Sequence, residues 1–358
     1  MALSTIQNNS FADTAVHGYR NLIINGAMQV AQRGTSFTAP ANNSYTLDRF
    51  PIYTTSTFLN VAQDSDAPDG FRNSLKTTVN TANPTPSSTE ICRIGYVVEA
   101  QDVARLNYGS ASAQTTTLSF WTKSTVAADY TIFIYASDPA RSIVKGYTIN
   151  SSNTWEYKSI TIDGDSGGTG INDDNGIGLY LEFNLMAGST YNTAGYQDNW
   201  VNGGGVRASG QTANCTTSGA TWQITGLQLE VGSEATPFEH RPYADELRRC
   251  QRYFYSSYNT GDAIGSTSNG TGAISLRNGS PDNSIFTVNL PTELRVSGTL
   301  TIYNTITGVS GQIRNRNKNT NITAYNLQSG TKNVTFYGGS SSDENDWMDA
   351  HITVDAEL

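Results

Sequence analysis

The chain holds 358 residues, enough for two domains, with 15% charged side chains, 22 Lys and Arg against 31 Asp and Glu, and 19 Tyr against 12 Phe. That composition suits half-exposed β-strands joined by polar turns. A net charge of −9 argues against nucleic acid, whose binders concentrate Lys and Arg, and no apolar run reaches the ~18 residues of a membrane span.

Residues 1–19 lack the apolar core of an export leader and read as an extended arm for attachment and assembly. A polar chain without such a leader is expected to be made in the cytoplasm and to leave the cell by lysis. Cys92, Cys215 and Cys250 show no metal-site spacing. They are expected as three buried thiols, with one disulfide as the alternative.

Residues 20–240 read as an antiparallel jelly roll or β-sandwich, because short strands alternate with Gly-, Asn- and Ser-rich connections. The run 21–26 is strand-like and closes on an Asn-Gly turn signal. Residues 116–122 alternate, with Leu118 and Phe120 on one face and Trp121 on the other. Similar strands are expected at 130–135, 155–162, 177–185 and 221–229. Phe120, Trp121, Trp155 and Trp222 fall inside these patterns and are expected in the core.

Residues 241–255 predict a linking α-helix. Over 244–254, Leu247, Cys250 and Phe254 join Tyr243 on one helix face. Pro237 and Pro242 precede it; Asp245 and Glu246 occupy the first turn and Arg248, Arg249 and Arg252 the end, as the helix dipole favours. Residues 256–358 then read as a smaller C-terminal β-sandwich, with strands at 283–290, 298–304, 322–327, 333–337 and 351–354.

Catalytic signals are absent. His17, His240 and His351 lie far apart, and no nucleophile elbow, zincin helix, phosphate loop or dinucleotide fingerprint accompanies them. The chain is not expected to be an enzyme, and His240, between Glu239 and Arg241, is expected as a hydrogen-bonded structural residue. No cofactor is expected either. The acidic loop Asp163, Asp165 and Asp174 partly echoes an EF-hand, with acids at positions 1, 3 and 12. Gly167 at position 5 offers no ligand, so a hairpin connection is favoured over calcium.

Tyr191, Tyr196 and Trp200 lie among Asn192, Gln197, Asp198 and Asn199. Rings that stack on sugar C–H faces, interleaved with amides that bond hydroxyls, make a candidate glycan-contacting loop. Rings that cap a sandwich edge are the equal alternative.

Four stretches carry a resemblance. NLIINGAMQVAQRGTSF (21–37) with YTLDRF (45–50), LSFWTKS (118–124), and NTWEYKSITIDGDSGGTG (153–170) with NDDNGIGLYLEFNLMAGSTY (172–191) are three. ITGLQLEVGSEATPFEHRPYADELRRCQRYF (224–254) is the fourth. Together they resemble a family of bacteriophage tail and virion proteins with a carbohydrate-binding-module-like jelly roll. A weaker likeness through FTVNLPTELRVSGTLTIYNTITG extends it over residues 20–308.

The resemblance implies a structural protein on the exterior of a virion, tail or capsid, most plainly a tail fibre or host-contacting appendage. Its expected partners are other virion proteins through the arm, two further copies in a homotrimer, and a host surface polysaccharide, with no membrane insertion. A non-adhesive capsid decoration, head fibre or tail adaptor is the alternative, and a polysaccharide depolymerase the remaining one. The matching motifs look like scaffold, so no binding residue follows from them.

Overall fold

The computed structural model describes residues 19–56, 58–192, 197–205, 214–268, 270–277, 284–339 and 345–358. In chain order its first strands are β1 (Ser36–Phe37), β2 (Ser44–Tyr45), β3 (Pro51–Thr54), β4 (Leu59–Asp64), β5 (Ser74–Val79) and β6 (Ile91–Glu99). After a short helix, α1 (Ala100–Val103), come β7 (Thr116–Ser124), β8 (Ala128–Ala136), β9 (Arg141–Ile149), β10 (Glu156–Ile162), β11 (Ile177–Ala187), β12 (Gln197–Asn202) and β13 (Thr221–Val231). These form two antiparallel sheets, ordered β1-β4-β5-β13-β7-β10 and β12-β9-β8-β11-β6-β3-β2. They face one another as a jelly-roll sandwich.

Alternation along the strands makes the core. Side chains at every second position point to one face, so β8 sends Tyr130, Ile132 and Ile134 inward and β11 sends Leu179, Leu181, Phe183 and Leu185. From the six-stranded sheet Leu118, Phe120, Trp222 and Ile224 meet them. Phe120 packs edge-on against Phe183 at 5.4 Å, and buried Trp222 satisfies its indole N–H on Tyr147 Oη at 3.1 Å. Trp121 and Trp155 depart from expectation. Trp121 follows the opposite parity to Phe120 and lies against Tyr157, while Trp155 Nε1 donates to Asp66 at the surface.

The run 21–26 is also not a strand. Asn25 and Met28 adopt left-handed backbone, φ 62° and 55°, which breaks any ladder. The segment instead plugs the sandwich edge: Leu22 N–H donates to Leu229 O, Ile24 N–H to Tyr96 Oη, and Gly26 O accepts from Leu227 N–H. A Cβ at Gly26 would stand 2.1 Å from Leu227 O, so only glycine permits this approach.

Helix α2 (Tyr243–Gln251) is shorter than expected and its stripe is shifted. Cys250 and Leu247 pack with Tyr253, Ile24, Val30 and Leu358, while Tyr243 is exposed. Phe254 leaves the helix altogether. The aromatic run Tyr253, Phe254 and Tyr255 favours strand, and Phe254 pairs with Asp355. Glu246 is the buried acid of the first turn, accepting from Asn25 N–H and paired with Arg241.

The strands that follow are β14 (Phe254–Ser256), β15 (Ile274–Arg277), β16 (Ser284–Asn289), β17 (Thr299–Tyr303), β18 (Gln312–Asn315), β19 (Thr320–Ser329), β20 (Asn333–Gly338) and β21 (Trp347–Asp355). Strand β21 is their axis. Its first half pairs with β15 and β18, its second with β14 and β17. Beneath it Phe286 and Phe336 stack at 4.7 Å among Ile313, Met348 and Ile352.

Buried charge holds the end of the chain to the sandwich. Glu357 pairs with Arg49 and, at 3.3 Å, with Arg33. The Arg49 guanidinium lies 3.4 Å over the Tyr253 ring, and Arg33 lies 3.7 Å over Phe254. Tyr253 Oη and Arg252 both donate to Glu99. Tyr45 Oη donates to Leu358 O, and Arg295 bridges Asn175 O to Glu357 O.

One histidine is set within the second core. His351 lies between Ser257 Oγ, 3.1 Å from Nδ1, and Ser268 Oγ, 2.7 Å from Nε2, and stacks on Tyr258 at 3.9 Å. Burial pushes its pKa below the usual value, against the opposing pull of Asp262 and Asp349. As pH falls, the unfolded chain binds the proton first, so stability is lost below about pH 6.5. The difference in thermal midpoint between pH 7.5 and 5.5 is therefore expected to shrink in His351→Gln; an unchanged difference would clear this residue of the effect.

Candidate functional site

Of the three loop rings singled out in the sequence, two fall among the described residues. Tyr196 lies outside the described residues, and Tyr191 is half-buried in the turn after β11. Trp200 packs edge-on against Tyr108 at 5.4 Å, and its Nε1 donates to Asp163 O at 2.7 Å. Its ring thus braces the sandwich edge. Trp200→Ala is expected to cost about 3 kcal/mol, the low end for a packed tryptophan, measured by urea unfolding; a change under about 1 kcal/mol would return the ring to the ligand-platform reading.

The acidic loop is engaged within the chain. Asp165 is 1% exposed and pairs with Arg141 Nε at 2.7 Å, while its Oδ1 accepts from Gly167 N–H. Asp174 caps its own turn through Gly176 N–H, and Asp163 is exposed. Among the described residues no group of three or more His, Cys, Asp or Glu is gathered as a metal would require. His240 lies against rings, 4.9 Å from Phe238 and 5.2 Å from Phe71, and among the described residues its side chain makes no hydrogen bond. The three cysteines are free and buried.

A different surface gathers aromatic and charged side chains: the outer face of the seven-stranded sheet. The parity that points Ile132 and Ile134 inward points Phe133 and Tyr135 outward, and that of Leu179 and Leu181 turns Tyr180 and Glu182 out. Register sets them in rows. Tyr135 stands across from Tyr180, and Phe133 across from Glu182, which in turn faces Gly95 on β6. One row on, Arg93 stands beside Tyr53 of β3.

Of these rings Tyr53, Tyr135 and Tyr180 are half-buried, while Phe133 is buried, 2% exposed. Phe133 and Tyr135 stack at 5.9 Å and 16°, and Tyr135 meets Tyr180 at 6.1 Å and 45°. Tyr53 folds over Gly95, where a Cβ would come within 2.3 Å of its ring. Arg93 pairs with Glu182 inside this frame, both side chains nearly buried, with the guanidinium 5.9 Å from the Tyr53 ring centre. With Gly204 these residues line a hollow of about 450 Å³, within the range of small-ligand sites.

Such a hollow offers ring faces to apolar C–H groups, and a cation and an anion to hydroxyls. Among the described residues that line it there is no nucleophile–base pair. The sequence reading missed it although a signal was there: 130–135 and 177–185 carry aromatic side chains at both parities, where a half-exposed strand needs only one apolar face.

No family model matches the chain, and no curated protein matches it. Solved structures similar to it include a proposed sugar binding protein from Bacteroides thetaiotaomicron, 10% identical over 60% of this chain and 100% of that one, TM-score 0.34. Another is a carbohydrate-binding module in complex with β-1,4-galactotriose, 11% identical over 60% and 99%, TM-score 0.30. A third is a xylan-binding domain from Paenibacillus barcinonensis, 10% identical over 57% and 100%, TM-score 0.27. At these scores no residue of those proteins is equated with one of this chain.

Proposed function

We propose that this chain is a host-contacting appendage protein of a bacteriophage particle, whose sandwich holds host surface polysaccharide on the outer face of the seven-stranded sheet. The observation that carries the binding reading is the half-buried ring pair Tyr135 and Tyr180, packed on the buried Phe133, beside the Arg93–Glu182 pair. Stacked rings next to a fixed donor–acceptor pair suit a sugar, which has an apolar face and a polar rim. Support for a place on the particle comes from the sequence resemblance, above all over 118–124 and 224–254. Residues 1–19 would dock on other virion proteins, and a trimer would let weak single sites add through multivalency.

Affinity electrophoresis through gels containing capsular and lipopolysaccharide glycans tests the reading. At least one glycan is expected to retard the protein without being shortened. Tyr135→Ala with Tyr180→Ala removes two ring contacts of about 0.5–1.5 kcal/mol each, so retardation should weaken about tenfold or more with the thermal midpoint nearly kept. Retardation by no glycan would overturn the binding reading, and equal retardation of the variant would displace the site.

A further inference from the structure

A second surface, on the C-terminal strands, is organised in rungs. Across β16, β20 and β19, Ile285, Tyr337 and Tyr325 stand in register. The next rung is Thr287, Thr335 and Gln328, and the one after it Asn289 and Asn333. Directly opposed residues of an antiparallel pair share a face, so all three rungs lie on one side. The opposite parity carries Phe286, Val334 and Phe336 into the core.

The first rung is apolar, with Ile285 and Tyr325 exposed and Tyr337 half-buried. Tyr325 and Tyr337 stack at 5.0 Å and 23°, with Tyr325 46% and Ile285 57% exposed. The other rungs carry only hydroxyls and carboxamides. Thr287 and Thr335 meet each other at 3.3 Å. Among the described residues, neither tyrosine hydroxyl, nor the side-chain amide of Gln328, Asn289 or Asn333, has a protein hydrogen-bond partner.

None of the three rungs holds a Lys, Arg, Asp or Glu, although β16 ends the sheet. Edge regions left to water usually carry charge to prevent unwanted pairing, and contiguous apolar exposure marks a contact surface. The matching occupant is uncharged, apolar on one side and rich in hydroxyls. From Tyr337 to Asn333 the face runs four residues, about 13 Å, long enough for a short run of sugar units.

We propose that this face is a second, independent site for a neutral oligosaccharide, with Tyr325 and Tyr337 as the stacking platform and the Thr and carboxamide rungs as hydroxyl partners. The proposal rests on the reading of the chain as a glycan binder but uses a separate surface. A protein partner is disfavoured because burying the unpaired carboxamides would require matched groups at each one; a neutral sugar carries hydroxyls that serve as both donor and acceptor.

Nitration of Tyr325 in the full-length protein, read by peptide mass spectrometry, tests it with neutral hexasaccharides of glucose, galactose and xylose. At least one is expected to slow nitration of Tyr325 several-fold, both in the wild-type chain and in the Tyr135→Ala, Tyr180→Ala variant. Asn333→Ala, an exposed change, should weaken that protection. Unchanged nitration with all three sugars overturns the proposal, even if Tyr135 and Tyr180 are protected. Protection of Tyr325 alone sustains it and sinks the sandwich site instead. Nitration that slows merely on concentrating the protein would show a second copy covering the face, which also overturns it.

Discussion

Glu357→Gln is expected to destabilise the folded chain by about 3–5 kcal/mol, the cost of leaving a buried charge uncompensated. Glu357 is the anion shared by Arg49 and Arg33, and both arginines are fixed by further contacts: Arg49 by Val97 O at 2.6 Å and the Tyr253 ring, Arg33 by the Phe254 ring. Neither guanidinium can swing to water without breaking these. Against a typical stability of 5–15 kcal/mol, the loss should be plain in urea unfolding, as a lower midpoint with the slope kept. Deleting Glu357 and Leu358 together should cost at least as much, because Tyr45 also loses Leu358 O and Arg295 loses one of its three carbonyl partners. A shift under about 1 kcal/mol in both variants would mean that the chain end contributes little.

The second large effect is expected at Arg93 and Glu182. Arg93→Ala leaves a nearly buried carboxylate beneath the rings and should cost a similar 3–5 kcal/mol. Replacing both partners by apolar residues, Arg93→Met with Glu182→Leu, should return most of that stability, because the desolvation penalty disappears with the charges. Glycan affinity should not return with it. That split separates a pair kept for recognition from one kept for packing. Recovery of both stability and affinity would assign the pair a purely structural role.

The sequence made the architecture readable where alternation was strict or β-forming residues ran between turn signals. The strands at 116–122 and 351–354 lie within β7 and β21, where Leu118 and Phe120, and Ile352 and Val354, hold one parity; those at 177–185, 221–229 and 322–327 lie within β11, β13 and β19, marked by β-forming residues between turn signals. It misled where tertiary contacts overrode local pattern. The run 21–26 is apolar enough for a strand, yet its left-handed Asn25 serves Glu246 and its glycine meets Leu227. Phe254 fits the helical stripe, yet pairing with Asp355 captures it for β14.

The site was less readable than the fold. Tyr191 and Trp200 drew notice because they sit in a polar loop, but Trp200 braces the edge through Asp163 O. Tyr135 and Tyr180 were hidden because aromatic residues in strands are taken for buried, as the neighbouring Phe133 is. Only the register, which sets Tyr135 across from Tyr180 and Glu182 diagonally from Arg93, reveals that they share an outer face. Pairing across β6, β11 and β8 joins residues dozens of positions apart, and no local pattern encodes it.

The most direct measurement is titration of the retained glycan into protein carrying ring-labelled tyrosine, followed by NMR. The outer-face reading expects saturable shifts at Tyr135 and Tyr180, with Tyr191 and the Trp200 loop unmoved. Saturable shifts confined to that loop, with Tyr135 and Tyr180 silent, would contradict it.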